Sequence, residues 1–342
     1  MDRDTAAGHE DAVALLRLAD LATPMAVRVA ATLRVADLVA SGAGTLGALA
    51  EATHTDPRAL DTVLRHLVSV GLLGGDGRHG YTLTRRAGPL LADHPDSVRA
   101  RLDLEGALGG ADVSFVHLLH AVRTGESAFA RQFGVSFWEN LSDHPALAAG
   151  YDATMGADVA AQAPAVAAAF DWGAFGHVVD VGGGNGTLLV ALLRAFPRLR
   201  GTVVDLPAAA GAARAALDAA GVAGRATAVA ASFFDALPAD ADGYLLCEVL
   251  HNWDDTDASA ILRRCAEAAA PGGRVLVVER VGGEGPVDTA RALLMLAYFG
   301  GRERTVDEIS ALATGVGLEL VAVHGAGRGS LIELTLPRPE RS

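Results

Sequence analysis

The chain has 342 residues, 51% of them hydrophobic, and a formal net charge of −13 at pH 7. This length leaves room for two domains with an ample core, and the acidic charge disfavours duplex nucleic acid, whose phosphates require clustered cations. All 28 basic residues are arginines, which excludes Schiff-base, pyridoxal phosphate and Walker-type chemistry because each needs a lysine amine.

The cysteine count and the amino terminus bear on the compartment. Cys247 and Cys265 are too few for a disulfide framework, which indicates a reducing environment. The first residues are polar and acidic, unlike a signal peptide, and no apolar run reaches membrane-spanning length. We therefore expect a cytoplasmic, soluble protein that binds neither a membrane nor nucleic acid.

Residues 1–95 are predicted to form a small, mainly helical domain. Apolar residues at helical spacing over residues 11–40 predict two helices joined at Pro24. Arg17 is a charge within this apolar stretch. It is interpreted either as a solvated residue of the outer face or as a ligand contact.

The rest of this domain has a winged-helix pattern. Thr45 and Asp56 are predicted to cap two helices, a glycine turn follows at residues 74–77, and a short strand begins at Tyr81. The second helix would be the recognition helix of a DNA-binding domain, but it is nearly neutral. Its charges are Asp56, Arg58, Asp61 and Arg65. A DNA-binding regulator is therefore the weaker alternative.

The remaining chain is predicted to contain a linker and a catalytic domain. Residues 96–170 have a helical pattern and are expected to line a substrate region, and residues 171–175 are expected to be a hinge. From residue 171 to 342, strands alternate with helices, which predicts a doubly wound, mostly parallel sheet of seven strands. The predicted strands are 177–181, 202–205, 226–230, 243–249, 274–280, 318–323 and 329–335.

The first of these strands leads into four glycines within five positions. The pattern Asp180-x-Gly182-x-Gly184-x-Gly186 fits neither a Walker A loop nor the G-x-G-x-x-G fingerprint of dinucleotide binding. An acid before the glycines would repel a pyrophosphate but could hold a cation. The next strand ends in Asp205, nineteen residues after Gly186, as a partner of ribose hydroxyls should.

These features resemble the class I S-adenosylmethionine (SAM) methyltransferases. The stretches Leu250–Asp255 (Leu-His-Asn-Trp-Asp-Asp) and Gly300–Thr305 (Gly-Gly-Arg-Glu-Arg-Thr) extend the likeness over nearly the whole chain. The chain resembles the small-molecule O-methyltransferases of plant phenolic and bacterial antibiotic biosynthesis. That resemblance implies SAM as cofactor, S-adenosylhomocysteine as its product, a small aromatic substrate and a homodimer formed through the winged-helix domain.

The resemblance also implies roles for single residues. It assigns the general base to His251 and the two acids that orient it to Glu279 and Glu303. The glycine motif adds Asp180 and Gly184 as cofactor contacts, and the family pattern departs at Ser232, where many relatives have Asp, and at Cys247, where plant members have Lys. The implied SAM contacts are Gly182, Asp205, Leu206, Ser232 and Phe233.

The chemistry asks for the same residue types. A phenol with a pKa of about 10 needs a base near neutral pH, and a histidine with a pKa of about 6.5 can serve. Two alternatives remain open: His251 as a structural residue, and Glu303 as a surface partner of Arg302 or Arg304. Asp254 and Asp255 are expected to cap a helix rather than to bind a metal, and no metal site is predicted.

The substrate contacts depend on position alone. The resemblance places five side chains around the acceptor, although core packing explains each of them equally well. They are Met155, Trp253, Met295, Tyr298 and Phe299. The predicted function is methylation of a phenolic hydroxyl of an aromatic secondary metabolite. The alternative is hydroxylation or decarboxylation by a SAM-binding relative, which the presence of His251 disfavours.

Overall fold

The computed structural model describes residues 3–270, 272–281 and 289–337, and for residues 3–9 it describes the backbone alone. The chain divides after Val113 into two compact units. Among the described helices, none is long and apolar enough to cross a lipid bilayer.

The amino-terminal unit begins with a run of helices. The predicted joint at Pro24 is wrong, because the break falls at residues 19–21 and Pro24 lies in the first turn of the next helix. A missing N–H is harmless there, since first-turn N–H groups have no intrahelical acceptor. The Asp20 carboxylate accepts hydrogen bonds from the backbone of Ala22 and Thr23 and so starts that helix. The helices are α1 (Arg3–Leu18), α2 (Ala22–Thr32), α3 (Val35–Ala40), α4 (Leu46–Thr53) and α5 (Pro57–Ser69).

A hairpin follows α5. Thr45 and Asp56 cap α4 and α5, as predicted. The glycines predicted as a turn at residues 74–77 instead enter a strand, and the turn lies at residues 77–79. Gly75, at φ 85°, makes this possible, because a Cβ there would lie 2.1 Å from the Gly80 carbonyl oxygen. The remaining elements are β1 (Leu73–Asp76), antiparallel β2 (Gly80–Leu83), α6 (Arg99–Leu102) and α7 (Ala107–Asp112).

Helices also open the carboxyl-terminal unit, in agreement with the helical pattern there. The expected hinge at residues 171–175 is instead a packed 3-10 turn, because Trp172 is fully buried and its indole N–H donates to the Val166 carbonyl oxygen at 3.1 Å. The helices before it are α8 (Leu118–Thr124), α9 (Ala128–Phe133), α10 (Phe137–Asp143) and α11 (Pro145–Ala169).

Seven strands form one sheet in the order β5-β4-β3-β6-β7-β9-β8. The first five along the chain pair in parallel, and β9 is antiparallel to both β7 and β8. The predicted fold, a doubly wound and mostly parallel sheet preceded by a helical domain, is confirmed. The strands are β3 (His177–Val181), β4 (Arg200–Asp205), β5 (Ala226–Ala230), β6 (Gly243–Cys247), β7 (Arg274–Glu279), β8 (Glu319–Ala326) and β9 (Gly329–Thr335).

Helices cover both faces of this sheet, because successive strand residues point to opposite sides. Val178 and Leu245 belong to one buried cluster with side chains of α11, α12 and α13, whereas Val179 and Leu246 belong to another with α14 and α16. The remaining helices are α12 (Thr187–Ala195), α13 (Pro207–Ala219), α14 (Asp255–Ala268), α15 (Thr289–Phe299) and α16 (Val306–Thr314).

The strand order reverses at β3, which has β4 on one side and β6 on the other. The connections leaving these strands therefore diverge, and they open a crevice at the carboxyl ends where such sheets bind their ligands. The segments that follow β3, β4, β5, β6 and β7 all reach this edge of the sheet.

Candidate active site

The loop after β3 is shaped by its glycines. Gly182, Gly184 and Gly186 have φ values of 71°, 56° and 76°, which L side chains rarely adopt. A Cβ on Gly182 would lie 3.0 Å from Cγ2 of Val249 and 3.4 Å from the Phe233 ring. The loop therefore presents main chain at its surface, and α12 begins directly after Gly186.

Asp180 is the next-to-last residue of β3 and lies under this loop. It is buried, and neither carboxylate oxygen has a hydrogen-bond partner within the described ranges. Burial, helped by the charge of Asp205, raises the pKa of Asp180 to about 7. A buried carboxylate without a partner is costly, and a bound cation would offset that cost.

Two further carboxylates lie near the loop. Asp205, at the end of β4, accepts hydrogen bonds from the Gly184 N–H at 2.8 Å and the Leu206 N–H at 2.7 Å. Burial raises its pKa by more than these bonds lower it. Asp152 of α11 was not foreseen; burial and then the charge of Asp205 raise its pKa to about 6. Leu206 itself is partly exposed.

Ser232 and Phe233 follow β5. The Ser232 hydroxyl accepts from the Phe234 N–H at 3.2 Å, and the Phe233 ring meets Trp253 edge-on with centroids 5.8 Å apart. We call the seven predicted cofactor residues the cofactor edge. They are Asp180, Gly182, Gly184, Asp205, Leu206, Ser232 and Phe233.

The candidate base lies on the other side of the switch point. His251 stands in a 3-10 turn after β6 and is 5% exposed. Its Nδ1 is hydrogen-bonded to Oε2 of Glu279, which ends the neighbouring strand β7. Oε1 of the same glutamate accepts from the backbone N–H groups of Leu250 at 2.8 Å and His251 at 3.3 Å. One carboxylate thus holds both the loop and the ring.

The pKa values of this pair move in opposite directions. Burial lowers the pKa of His251, but the charge and hydrogen bond of Glu279 and the charge of Glu248 raise it more, so the net shift is upward. Burial raises the pKa of Glu279, yet the His251 ring lowers it further. The geometry thus favours an Nδ1–H that donates to a charged carboxylate and leaves Nε2 as the basic nitrogen.

An arginine completes the surroundings of the ring. Arg291 of α15 is bonded to Oε2 of Glu248 and donates from Nε to Oε1 of Glu303 at 2.6 Å, and its Nη2 lies 3.4 Å from Nε2 of His251. Glu248 follows β6 at a positive φ of 57°, which is unusual for a residue with a side chain. We call these five residues the base cluster: Glu248, His251, Glu279, Arg291 and Glu303.

Glu303 therefore has a different partner from the one considered in the sequence. The alternative in which Glu303 pairs with Arg302 or Arg304 is wrong, because both of these arginines bond to Asp255 instead. A ring nitrogen of His251 and one carboxylate oxygen each of Glu279 and Glu303 lie within 4.8 Å of one another. Such a group could hold a cation, but the guanidinium of Arg291 already supplies a positive charge to Glu303.

The five predicted substrate residues fall on three segments of this unit. Met155 is half-buried on α11, Trp253 follows the base, and α15 contributes three more. Trp138 of α10 was not predicted, yet its ring stacks on Phe299 at 5.2 Å and on Trp253 at 6.5 Å. Met295 and Tyr298 are buried and Phe299 is half-buried. Their role as an acceptor wall stays a prediction.

The structure also places Asp254 and Arg17, two residues that the sequence analysis singled out. Asp254 caps α14 by accepting from the Asp257 N–H at 2.9 Å, as expected. Arg17 is exposed in the last turn of α1, in the amino-terminal unit. Its role as a ligand contact stays a prediction.

Sequence reasoning missed Glu248, Arg291 and Asp152. Glu248 carried a usable signal, because it directly follows a strand of a parallel sheet. Arg291 and Asp152 sit within helices, where no neighbouring residue marks them. Only the tertiary packing of α15 and α11 brings them to the site.

Comparisons with known proteins were made on the sequence and on the fold. Residues 115–319 match the family described as O-methyltransferase domain, and residues 16–93 match the O-methyltransferase dimerisation domain. Among curated proteins, 2,7-dihydroxy-5-methyl-1-naphthoate 7-O-methyltransferase of Streptomyces carzinostaticus is 50% identical over 94% of this chain and 97% of its own. Aclacinomycin 10-hydroxylase RdmB of Streptomyces purpurascens is 47% identical over 93% of this chain and 87% of its own.

Solved structures give the same result. The O-methyltransferase NcsB1 from neocarzinostatin biosynthesis, in complex with SAM and 2-hydroxy-5-methyl naphthoic acid, superimposes with a TM-score of 0.90. It is 50% identical, and the match covers 94% of this chain and 98% of that one.

Proposed function

This chain belongs to the O-methyltransferase family and uses SAM as its cofactor, and we propose that it methylates a phenolic hydroxyl of a small aromatic metabolite. The observation that carries the proposal is the buried His251–Glu279 pair at the carboxyl ends of β6 and β7, beside the switch point of the sheet. The naphthoate relative and the naphthoic acid complex support an aromatic acceptor of similar size.

The residues of the cofactor edge fit the cofactor. The glycine loop offers main chain without Cβ atoms, and the unpaired carboxylate of Asp180 suits a ligand with positive charge. Asp205 has a lone pair left on each oxygen for ribose hydroxyls. When bound, SAM supplies an electrophilic methyl group on a sulfonium.

In the proposed mechanism His251 removes the proton of the acceptor hydroxyl through Nε2. Glu279 holds the ring by its Nδ1 and stabilises the positive charge that the ring gains. Since burial leaves little water around this pair, the attraction between the two is stronger than it would be in bulk solvent. The aromatic side chains around Trp138 and Phe299 would orient a flat acceptor.

Mass spectrometry tests this proposal directly. Incubation of the protein with SAM and a panel of hydroxylated naphthoates should yield products heavier by one methyl group, in the presence of EDTA as well as in its absence. A gain of oxygen without a methyl group would contradict the proposed reaction. Loss of turnover in EDTA that Mg²⁺ restores would contradict the metal-free mechanism.

The working state is proposed to be a homodimer in the cytoplasm. The match to a dimerisation domain supports the dimer, as do Leu15, Leu16, Leu18 and Leu21, which are 67%, 72%, 86% and 70% exposed. Two unpaired cysteines suit a reducing compartment. Light scattering should give twice the chain mass of 34.9 kDa, and the mass of one chain would refute the dimer.

A further inference from the structure

The base cluster places the carboxylates of three glutamates around one imidazole. Glu279 bonds the ring at Nδ1, a carboxylate oxygen of Glu303 lies within 4.8 Å of a ring nitrogen, and Glu248 acts on the ring through its charge. Each carboxylate favours the protonated ring. Protonated at Nε2, His251 would have no lone pair with which to take a proton from an acceptor.

Arg291 is the cation placed against this charge. Its guanidinium joins Glu248 to Glu303, and Nη2 reaches to 3.4 Å from Nε2 of His251. A guanidinium has only donors, so the ring nitrogen that faces it has to be the unprotonated one. The proton of the neutral ring then resides on Nδ1, towards Glu279.

The backbone of Glu248 has an unusual conformation. A residue with a side chain rarely adopts a φ of 57°, because the backbone is strained there. That conformation is found at the residue whose carboxylate meets Arg291 and lies 3.8 Å from Nε of Arg280.

We propose that Arg291 is a positioning residue for the base. Its positive charge offsets the charges of three glutamates, which would otherwise favour protonation of the His251 ring. This inference rests on the proposed function, in which His251 is the base. The acceptor hydroxyl would replace the long contact between Arg291 and Nε2, while the arginine stays tied to Glu248 and Glu303.

The other charged groups near the ring do not duplicate this role. Arg304 donates to the carbonyl oxygens of Leu250 and Trp253 and pairs with Asp255, and Arg302 pairs with Asp255 and Glu308. Burial holds the pKa of the Cys247 thiol well above its usual value, so that group is neutral. Within the described residues, Arg291 is therefore the cation that contacts both a nitrogen of the His251 ring and two of the glutamates.

The test compares pH profiles of kcat/KM for the wild type and Arg291→Gln. Without the arginine the ring should hold its proton to higher pH, so the acid limb should move upward by about one pH unit, with a loss of up to roughly tenfold at pH 7 and recovery near pH 9. Arg291→Lys keeps the charge and should restore part of the shift. The double variant Arg291→Gln/Glu248→Gln, which removes one charge of each sign, should move the limb back towards the wild type.

Arg274→Gln is the matched control. Arg274 also pairs with a glutamate, Glu333, but at the amino end of β7, so its loss should leave the acid limb unmoved. Circular dichroism and thermal melting of each variant would check folding.

A readout without turnover separates this inference from the proposed function. The ring proton of His251, assigned by its loss in His251→Ala, can be titrated by NMR in the protein without SAM, and Arg291→Gln should raise its midpoint. An unshifted midpoint, or a loss of kcat/KM equal at every pH, overturns the inference. If the wild type methylates no phenol, the proposed function fails, and the titration still decides the role of Arg291.

Discussion

The cofactor edge and the base cluster lie at the same edge of one sheet but handle charge in opposite ways. In the cofactor edge, Asp180 has no hydrogen-bond partner and Asp205 is held by backbone N–H groups, and among the described residues no arginine pairs with either. In the base cluster, Glu248 and Glu303 share Arg291, and Glu279 holds His251. One region has no cation of its own, and in the other each carboxylate has a partner within the protein.

This difference indicates what each region binds. An acidic region without its own cations favours a ligand that brings positive charge, as the sulfonium and ammonium groups of SAM do. In the base cluster the carboxylates are already partnered, and the His251 ring has to accept a proton and release it again. If this division is correct, substitutions in the two regions should affect different kinetic quantities.

Replacement of the base should have the largest effect. His251→Ala is expected to lower kcat by roughly 10²–10⁴-fold while the affinity for SAM stays nearly constant. The loss should shrink at high pH, since a phenol with a pKa of about 10 begins to ionise unaided. Steady-state kinetics at pH 7 and pH 9.5 with calorimetric titration of SAM would measure both.

His324→Ala is a suitable control for that variant, since His324 is a partly exposed residue of β8 that pairs with Glu333. Full turnover of His251→Ala at pH 7 would mean that the acceptor ionises unaided or reacts through proximity alone. His251 would then not act as the general base, and the base cluster would no longer differ from the cofactor edge in catalytic role.

A substitution at the cofactor edge should show the converse pattern. Asp205→Ala removes an acceptor with full charge, and such hydrogen bonds are worth about 1.5–3 kcal/mol, so the Kd for SAM should rise roughly 10- to 100-fold. At saturating SAM, kcat should stay near the wild-type value. Asp218→Ala, in α13 and away from the strand end, is the control. A drop in kcat with unchanged Kd would break the proposed division.

The cofactor edge could be predicted from sequence because its geometry is local. Strand, glycines and helix follow one another from His177 to Ala195, and the φ values that the loop needs restrict the residues allowed there. Asp205 was found by the same reasoning, since β4 is the neighbour of β3 and ends at the same edge.

The base cluster was predicted only in part, because it is assembled from distant segments. His251 and Glu279 follow adjacent parallel strands, so the sheet itself implies that they meet. Glu303 came from the family resemblance, and the only ion-pair partners considered for it, as an alternative, were its sequence neighbours Arg302 and Arg304. Arg291 lies twelve residues before Glu303, in a helix whose rotation no local pattern specifies. The pairing of Arg291 with Glu248 and Glu303 depends on tertiary packing, so the sequence alone does not predict it.

The last expected effect concerns the pH dependence of SAM binding. Asp180 has a pKa raised to about 7 and Asp152 one raised to about 6, so both gain negative charge as the pH rises through these values. A cationic ligand prefers the charged forms. Affinity for SAM should therefore rise between pH 5 and 7, by up to roughly tenfold per pH unit for each carboxyl group that must lose a proton. Below pH 7 the amino group of SAM is already protonated, so it adds little to the slope.

Calorimetric titrations at pH 5, 6 and 7 would measure this slope, and Asp180→Asn should flatten it. S-adenosylhomocysteine, which lacks the sulfonium charge, should show a shallower slope than SAM. Equal slopes for the two ligands would show that the acidity of the cofactor edge does not select for the sulfonium, and the electrostatic contrast with the base cluster would then not extend to cofactor choice.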